Sequence, residues 1–194
     1  MRHKSFVVVI SGPSGVGKTT VVRRVMQGLD GLWLSVSMTS RPPRPGETNG
    51  VDYIFVSEKE FQRLIRENHF LEWNAVFDHH YGTPAQPVKE HLARGADVVL
   101  EIDVQGGLRV KEALGQECVC VFLAPPSQQS LQQRLRKRGT EDPEVIRSRL
   151  ERAAMELETG QRYDYIVVND QLETAVRDVM CIIRAERCSK GRRI

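Results

Sequence analysis

The sequence predicts an α/β fold, a mostly parallel sheet with helices on both faces. Strand-like apolar runs alternate with helical patterns along most of the 194 residues, the rhythm of successive βαβ units. Three of the runs, "FVVVI", "DVVLEID" and "CVCVFLA", are nearly continuous in apolar residues, as parallel strands covered on both faces must be. Between the first run and the first helical pattern lies a glycine-rich turn, "GPSGVGKT".

Taken in order, strands are expected at 6–10, 32–37, 53–56, 96–103, 118–124 and 165–169, the last being the weaker run "YIVVN". Helices are expected at 18–27, 58–67, 87–94, 127–138, 143–159 and 172–186. Ser57 followed by Glu60 has capping-box spacing, and Pro143 suits a first helical turn. Residues 39–87 break the pattern with shorter strands, aromatics and turn residues, so they read as a lobe inserted between the first helix and the next core strand. The expected organisation is one domain, with a core of residues 1–38, 88–126 and 160–194, the lobe at 39–87 and a helical hairpin at 127–159.

Composition excludes several classes. A hydrophobic content of 40% supplies a proper core, and Lys+Arg 28 against Asp+Glu 25 leaves a net charge of +3, too small a bias to imply nucleic-acid binding. The cysteines at 118, 120, 181 and 188 match neither a zinc site nor a redox C-x-x-C, and they read as reduced and buried. The first apolar run is too short for a signal-peptide core, and no apolar stretch approaches membrane-spanning length. A soluble, cytoplasmic protein with neither nucleic-acid nor membrane partners is expected. His79 and His80 read as incidental to any metal chemistry, and the basic tail "RCSKGRRI" reads as a frayed end.

"GPSGVGKT" matches G-x-x-x-x-G-K-[ST] in the required strand-loop-helix context. Glycines at 12, 15 and 17 let the backbone wrap phosphate oxygens, the helix N-terminus favours negative charge, and Lys18 supplies a mobile cation. Thr19 is placed to ligate Mg²⁺, and nucleoside triphosphate binding follows. In "VVLEID", Glu101 and Asp103 are spaced by two and so share a strand face near the ligand crevice; spacing does not separate their roles.

Arginines supply what a phosphate loop alone does not. "SRPPRPGETNGVDY", residues 40–53, carries Arg41 and Arg44, and reads as a loop, a PxxP ligand or an anion clamp. "LQQRLRKRGTEDPEVIRSRLERA" carries Arg134 and Arg138 on one helical face, and a turn that folds Arg149 back toward them, a hairpin suited to closing over a triphosphate.

Together with "FLEWNAVF", "YGTP", "EIDVQG", "LAPPS" and "YIVVND", these segments make the chain resemble a guanylate kinase over nearly its whole length. That resemblance implies a P-loop NTPase-type core with an inserted acceptor-binding lobe and a helical lid, and Mg²⁺-dependent transfer of the ATP γ-phosphate to GMP or dGMP. For ATP it implies Gly12, Pro13, Ser14, Gly15, Val16, Gly17, Lys18, Thr19 and Thr20, with Arg138 and Asn169 near the base and Arg134, Arg138 and Arg149 on the phosphates and transition state. It places Arg41, Arg44, Tyr53 and Tyr81 on the GMP phosphate, and Ser37, Glu72, Gly82, Thr83 and Asp103 elsewhere in the acceptor site. Glu101 is implied in the Mg²⁺ shell through water, and Arg136, Arg147 and Arg152 are left as solvated. Two departures are mild: Thr83 stands for a serine, and Met38 for a polar residue beside Ser37. Competing readings are a related kinase of another nucleotide or a sugar phosphate, and an inactive phosphopeptide-binding module; the intact loop and the guanine-type residues oppose both.

Overall fold

The computed structural model of the chain describes residues 3–76, 78–136 and 143–194, with side chains described for these except 135, 136, 143–147 and 149. In chain order the elements are β1 (Val7–Ser11), α1 (Lys18–Gly28), β2 (Leu32–Leu34), β3 (Met38–Thr39), β4 (Ile54–Phe55), α2 (Glu58–Arg66), β5 (Phe70–Val76), β6 (His79–Pro84), α3 (Ala85–Ala93), β7 (Asp97–Glu101), α4 (Val104–Leu114), β8 (Cys118–Ala124), α5 (Gln128–Arg136), α6 (Pro143–Gly160), β9 (Tyr165–Val168) and α7 (Leu172–Arg187).

A five-stranded parallel sheet, ordered β2-β7-β1-β8-β9, forms the core. Every residue of β1 is buried, because both its faces are covered. Alternation along it separates two apolar layers. Val8 and Ile10 pack with Val22 and Val25 of α1 and Val179 and Ile183 of α7, while Val7 and Val9 pack with Val88 of α3, Val104 and Val110 of α4 and Phe122. The strand ends that follow β1 and β7 therefore emerge at one edge, where open α/β sheets bind ligands.

A second, four-stranded sheet, ordered β4-β3-β6-β5, is built from strands between Met38 and Pro84. Its longest pairing, β5 with β6, is antiparallel and sets Glu72 opposite Thr83. The run expected to be a strand through Ser37 leaves the core sheet after Leu34, and Met38 pairs instead with Ile54 and Gly82 in the second sheet. The Ser57 oxygen accepts from the Glu60 amide at 3.2 Å, so the predicted cap is present on α2.

Four readings of the sequence are corrected. Helix α4 was not foreseen, since Gly106 and Gly107 dilute its pattern; a side chain at Gly107 would stand 2.0 Å from the Tyr163 hydroxyl, so the helix needs glycine to approach the sheet. Glu101 and Asp103 do not share a strand face, because β7 ends at Glu101 and Asp103 caps α4, its Oδ1 accepting from the Gly106 amide at 2.6 Å. Cys118 and Cys120 are buried, but Cys181 and Cys188 are exposed; α7 buries Ala175, Val176, Val179 and Ile183, and Cys181 falls on the opposite side of that stripe. The tail is docked rather than frayed: the buried Arg192 lies over the Phe6 ring at 4.3 Å and pairs with Glu186 at 3.2 Å.

Below the sheet, at the edge away from the loop, Asp97 is fully buried and ties both ends of the chain to β7. It accepts from Arg187 Nε at 2.7 Å and the Phe6 amide at 3.3 Å, and lies 2.9 Å from His3 Nε2. Asp97→Ala is expected to lower stability by about 3 kcal/mol, the low end for breaking a buried pair because His3 and Arg187 reach solvent. Urea unfolding checks this; a loss below about 1 kcal/mol would leave the cluster no more than a surface pair. Among the described residues, no helix is long and apolar enough to cross a membrane.

Candidate active site

The loop between β1 and α1 wraps back on itself. Gly12 adopts φ +152°, and a Cβ there would stand 2.3 Å from the Leu123 carbonyl, so only glycine lets the loop lie this close to β8. Lys18 Nζ donates to the Gly12 carbonyl, and to that of Pro13 at 3.4 Å. Burial pushes the Lys18 ammonium below its usual value, opposed by the carboxylates of Glu156, Glu101 and Asp103. Thr19 Oγ1 donates to Glu101 Oε1 at 2.6 Å; Ser14, Thr19 and Thr20 are exposed, and Gly15 and Gly17 half-buried.

Two residues from distant segments brace the far side of the loop. Asn169, at the end of β9 and 6% exposed, donates to the Val16 carbonyl at 2.7 Å. Arg134 of α5 donates to the same carbonyl at 3.3 Å and to the Asn169 carbonyl at 3.0 Å. The base of the hairpin therefore rests on the phosphate loop. Arg138 and the Arg149 side chain lie outside the described residues.

On the second sheet, Arg41 is 7% exposed and already holds an oxyanion. Its Nη1 and Nη2 donate to the two oxygens of Glu47 at 2.9 and 2.8 Å, and Nε donates to the Tyr81 hydroxyl at 3.2 Å. Glu47 also accepts from the Arg44 amide at 2.7 Å, and the Arg41 guanidinium first, then that amide, hold its carboxyl down to about 2. Tyr53 and Tyr81 meet edge to face at 5.9 Å, and the Arg41 guanidinium sits 5.4 Å from the Tyr53 ring centre. Arg44 stays exposed beside them.

Deeper in, β5 reverses the usual order: Glu72 is 7% exposed while its neighbour Trp73 is 42% exposed. Thr83 Oγ1 donates to Glu72 Oε1 at 2.8 Å, and Arg109 of α4 stands 3.7 Å from Oε2. Burial pushes the Glu72 carboxyl above its ordinary range. Beside it, Asn74 Nδ2 donates to Asp103 Oδ2 at 2.8 Å. Ser37 is half-buried just before β3, its carbonyl taking the Ile54 amide at 2.9 Å, and Gly82 is buried on β6. Asp103 joins the two sheets: its carboxylate accepts from Asn74 of β5, and its carbonyl accepts from Ser11 Oγ, at the end of β1 where the phosphate loop begins, at 3.2 Å.

This pairing of a phosphate loop with a buried carboxylate on an inserted sheet has relatives. The family model "Guanylate kinase" matches residues 4–186. The chain belongs to the guanylate kinase family. It is 46% identical over 192 residues to a guanylate kinase of Caldanaerobacter subterraneus subsp. tengcongensis, covering 99% of this chain and 93% of that protein. It is 50% identical to a guanylate kinase of Thermus thermophilus, covering 99% and 86%. The crystal structure of guanylate kinase from Anaplasma phagocytophilum superposes with a TM-score of 0.83 at 31% identity, covering 98% of this chain and 90% of that one. A shikimate kinase from Bacteroides thetaiotaomicron shares the fold alone, at a TM-score of 0.50 and 15% identity, covering 92% and 98%.

In this member of the family, the sequence reading passed over several residues of the candidate site. Glu47 follows Arg41 by six positions in a loop, a spacing with no periodic meaning, although an acid within "RPPRPGE" was a signal. Asn74 shared a strand pattern with its apolar neighbours. Glu156, half-buried on α6, is the leading carboxylate around Lys18, and its partner Arg152, read as solvated, donates to it at 3.1 Å. Burial raises the Glu156 carboxyl as well.

Proposed function

We propose that the edge where the two sheets meet holds both nucleotides of one phosphoryl transfer, ATP along residues 12–20 and GMP or dGMP on the four-stranded sheet. The activity is guanylate kinase, an ATP-dependent nucleoside monophosphate kinase. The observation that carries the assignment of sites is the buried Glu72 carboxylate, fixed by Thr83 within the sheet that Asp103 joins to the end of β1, through Asn74 on one side and Ser11 on the other. Guanine presents an N1–H and an exocyclic amine on one edge, and a desolvated carboxylate is the acceptor that edge requires.

In this reading Arg41, Arg44, Tyr53 and Tyr81 receive the GMP phosphate, with Glu47 keeping the Arg41 fork oriented. Ser37, Gly82, Thr83 and Asp103 complete the acceptor site. Lys18 and the loop amides hold the donor phosphates, and Asn169 and Arg134 stiffen the loop from behind. Arg138 and Arg149 are assigned to the phosphates on closure of a lid spanning 127–159, over a core of 1–38, 88–126 and 160–194 and a GMP-binding lobe of 39–87. No side chain acts as nucleophile; the catalytic contribution is in-line positioning and charge stabilisation.

A Mg²⁺ ion fits the oxygen donors present. The Thr19 hydroxyl and Glu101 carboxylate, 2.6 Å apart, offer hard ligands, Thr19 directly and Glu101 through water. When bound, the ion neutralises triphosphate charge. We place the activity in the cytoplasm, where the unpaired thiols of Cys118, Cys120, Cys181 and Cys188 suit a reducing compartment.

A coupled ADP-release assay with GMP, dGMP, AMP, CMP and UMP tests the assignment. GMP and dGMP are expected to turn over with the other acceptors at least about 100-fold less efficient, as buried polar groups left unpaired dictate. Equal use of AMP and GMP would remove the guanine reading of Glu72.

A further inference from the structure

The Glu72 carboxylate lies in an environment that works against its charge. It stands on β5, which packs against β6, α3 and α4. From β6 it receives only the neutral Thr83 hydroxyl. The charged groups of α3 are turned to other tasks or to solvent: Glu90 bonds Gln86 and pairs with Arg94, His91 stacks on Trp33, and Lys89 is exposed. From α4 come Asp103 at the cap, a second carboxylate, and Arg109 in the second turn. A side chain at Gly106 would meet Glu72 Oε2 at 2.7 Å and Asp103 Oδ1 at 3.3 Å, so both acids crowd the first turn of one helix. Among the described residues, Arg109 is the cation paired with Glu72, 3.7 Å from Oε2.

We infer that Arg109 is a positioning residue of the guanine subsite, whose guanidinium holds Glu72 as a carboxylate with Asp103 close by. This deepens the proposed function and rests on its reading of Glu72. The chemistry is direct. A protonated Glu72 offers one acceptor oxygen and one donor, and no longer matches the two adjacent donors of guanine. Burial and the second carboxylate favour that protonated form; the neighbouring guanidinium opposes it, as does the Thr83 hydroxyl donating to Oε1. The Arg109 side chain is 42% exposed, so it acts without belonging to the buried site itself, and its effect is reduced by solvent.

Removing the cation raises the Glu72 pKa further, so guanine binding weakens at low pH and recovers as the carboxyl ionises. Arg109→Met is expected to raise the KM for GMP about 3- to 10-fold at pH 6 relative to the unsubstituted enzyme. That ratio, which cancels the titration of the nucleotide itself, should return toward one by pH 8.5. The kcat at saturating GMP and the KM for ATP should hold, and Arg109→Lys should restore most of the loss. Independently of activity, the ¹³C resonance of the Glu72 carboxyl, assigned by its disappearance in Glu72→Gln, should titrate at higher pH in Arg109→Met. A KM ratio of one throughout, a raised ratio that ignores pH, a kcat loss of equal size or an unmoved carboxyl titration would each overturn the inference. The two readings fail separately: unchanged GMP use in Glu72→Gln removes the guanine subsite, whereas an unmoved Glu72 titration in Arg109→Met removes only the role of Arg109.

Discussion

Lys18→Met is expected to lower kcat by about 100- to 1,000-fold, the scale on which single groups that stabilise developing charge contribute. The substitution keeps an unbranched stem and deletes only the ammonium. In the structure that ammonium caps the carbonyls of Gly12 and Pro13 and faces the carboxylates of Glu156, Glu101 and Asp103. Without it those acids would meet the triphosphate uncompensated, so the loss should appear in the chemical step and in ATP affinity together. Burial disfavours the charged lysine, so its removal should cost the apoenzyme little stability. Single-turnover transfer from ATP to GMP, alongside thermal unfolding, measures both. A kcat within tenfold of the unsubstituted enzyme would show that the loop amides suffice.

Glu72→Gln should reduce kcat/KM for GMP by about 10- to 150-fold, the worth of one hydrogen bond to a charged group at 1.5 to 3 kcal/mol. The shapes are the same, and Thr83 retains an oxygen to donate to, so the change isolates charge and acceptor count. A glutamine presents one acceptor and one donor where guanine needs two acceptors. The preference for GMP over AMP should therefore shrink, with ATP kinetics intact. Unchanged GMP efficiency would remove Glu72 from the base pocket.

How much of this was legible in the sequence depends on the kind of residue. The loop could be read directly, because glycines, lysine and threonine act through backbone geometry that is local to one turn. The run 118–124 coincides with β8, and the boundaries of α1, α2 and α7 moved by a residue or so, since apolar periodicity sets them. Helix α4 was hidden by Gly106 and Gly107, which its close packing on Glu72 and on Tyr163 requires. The shared face of Glu101 and Asp103 failed because the strand ended between them and a helix cap began. The β5–β6 hairpin was seen only as an irregular lobe, since a buried glutamate beside an exposed tryptophan inverts the alternation by which strands are recognised.

The class of fold and the triphosphate loop were thus set out along the chain, as properties written in short-range spacing, whereas the candidate acceptor residues could be named only through the resemblance to guanylate kinases. The partners came from the packed molecule alone: Glu47 on Arg41, Asn74 on Asp103, Arg109 on Glu72, Asn169 and Arg134 on the Val16 carbonyl. Those pairs join residues as many as 153 positions apart, and in the core they are set by which helix faces which strand. Burial at these contacts also decides how strongly each charge is felt, and no local pattern encodes burial of a polar group until the layers around it have packed.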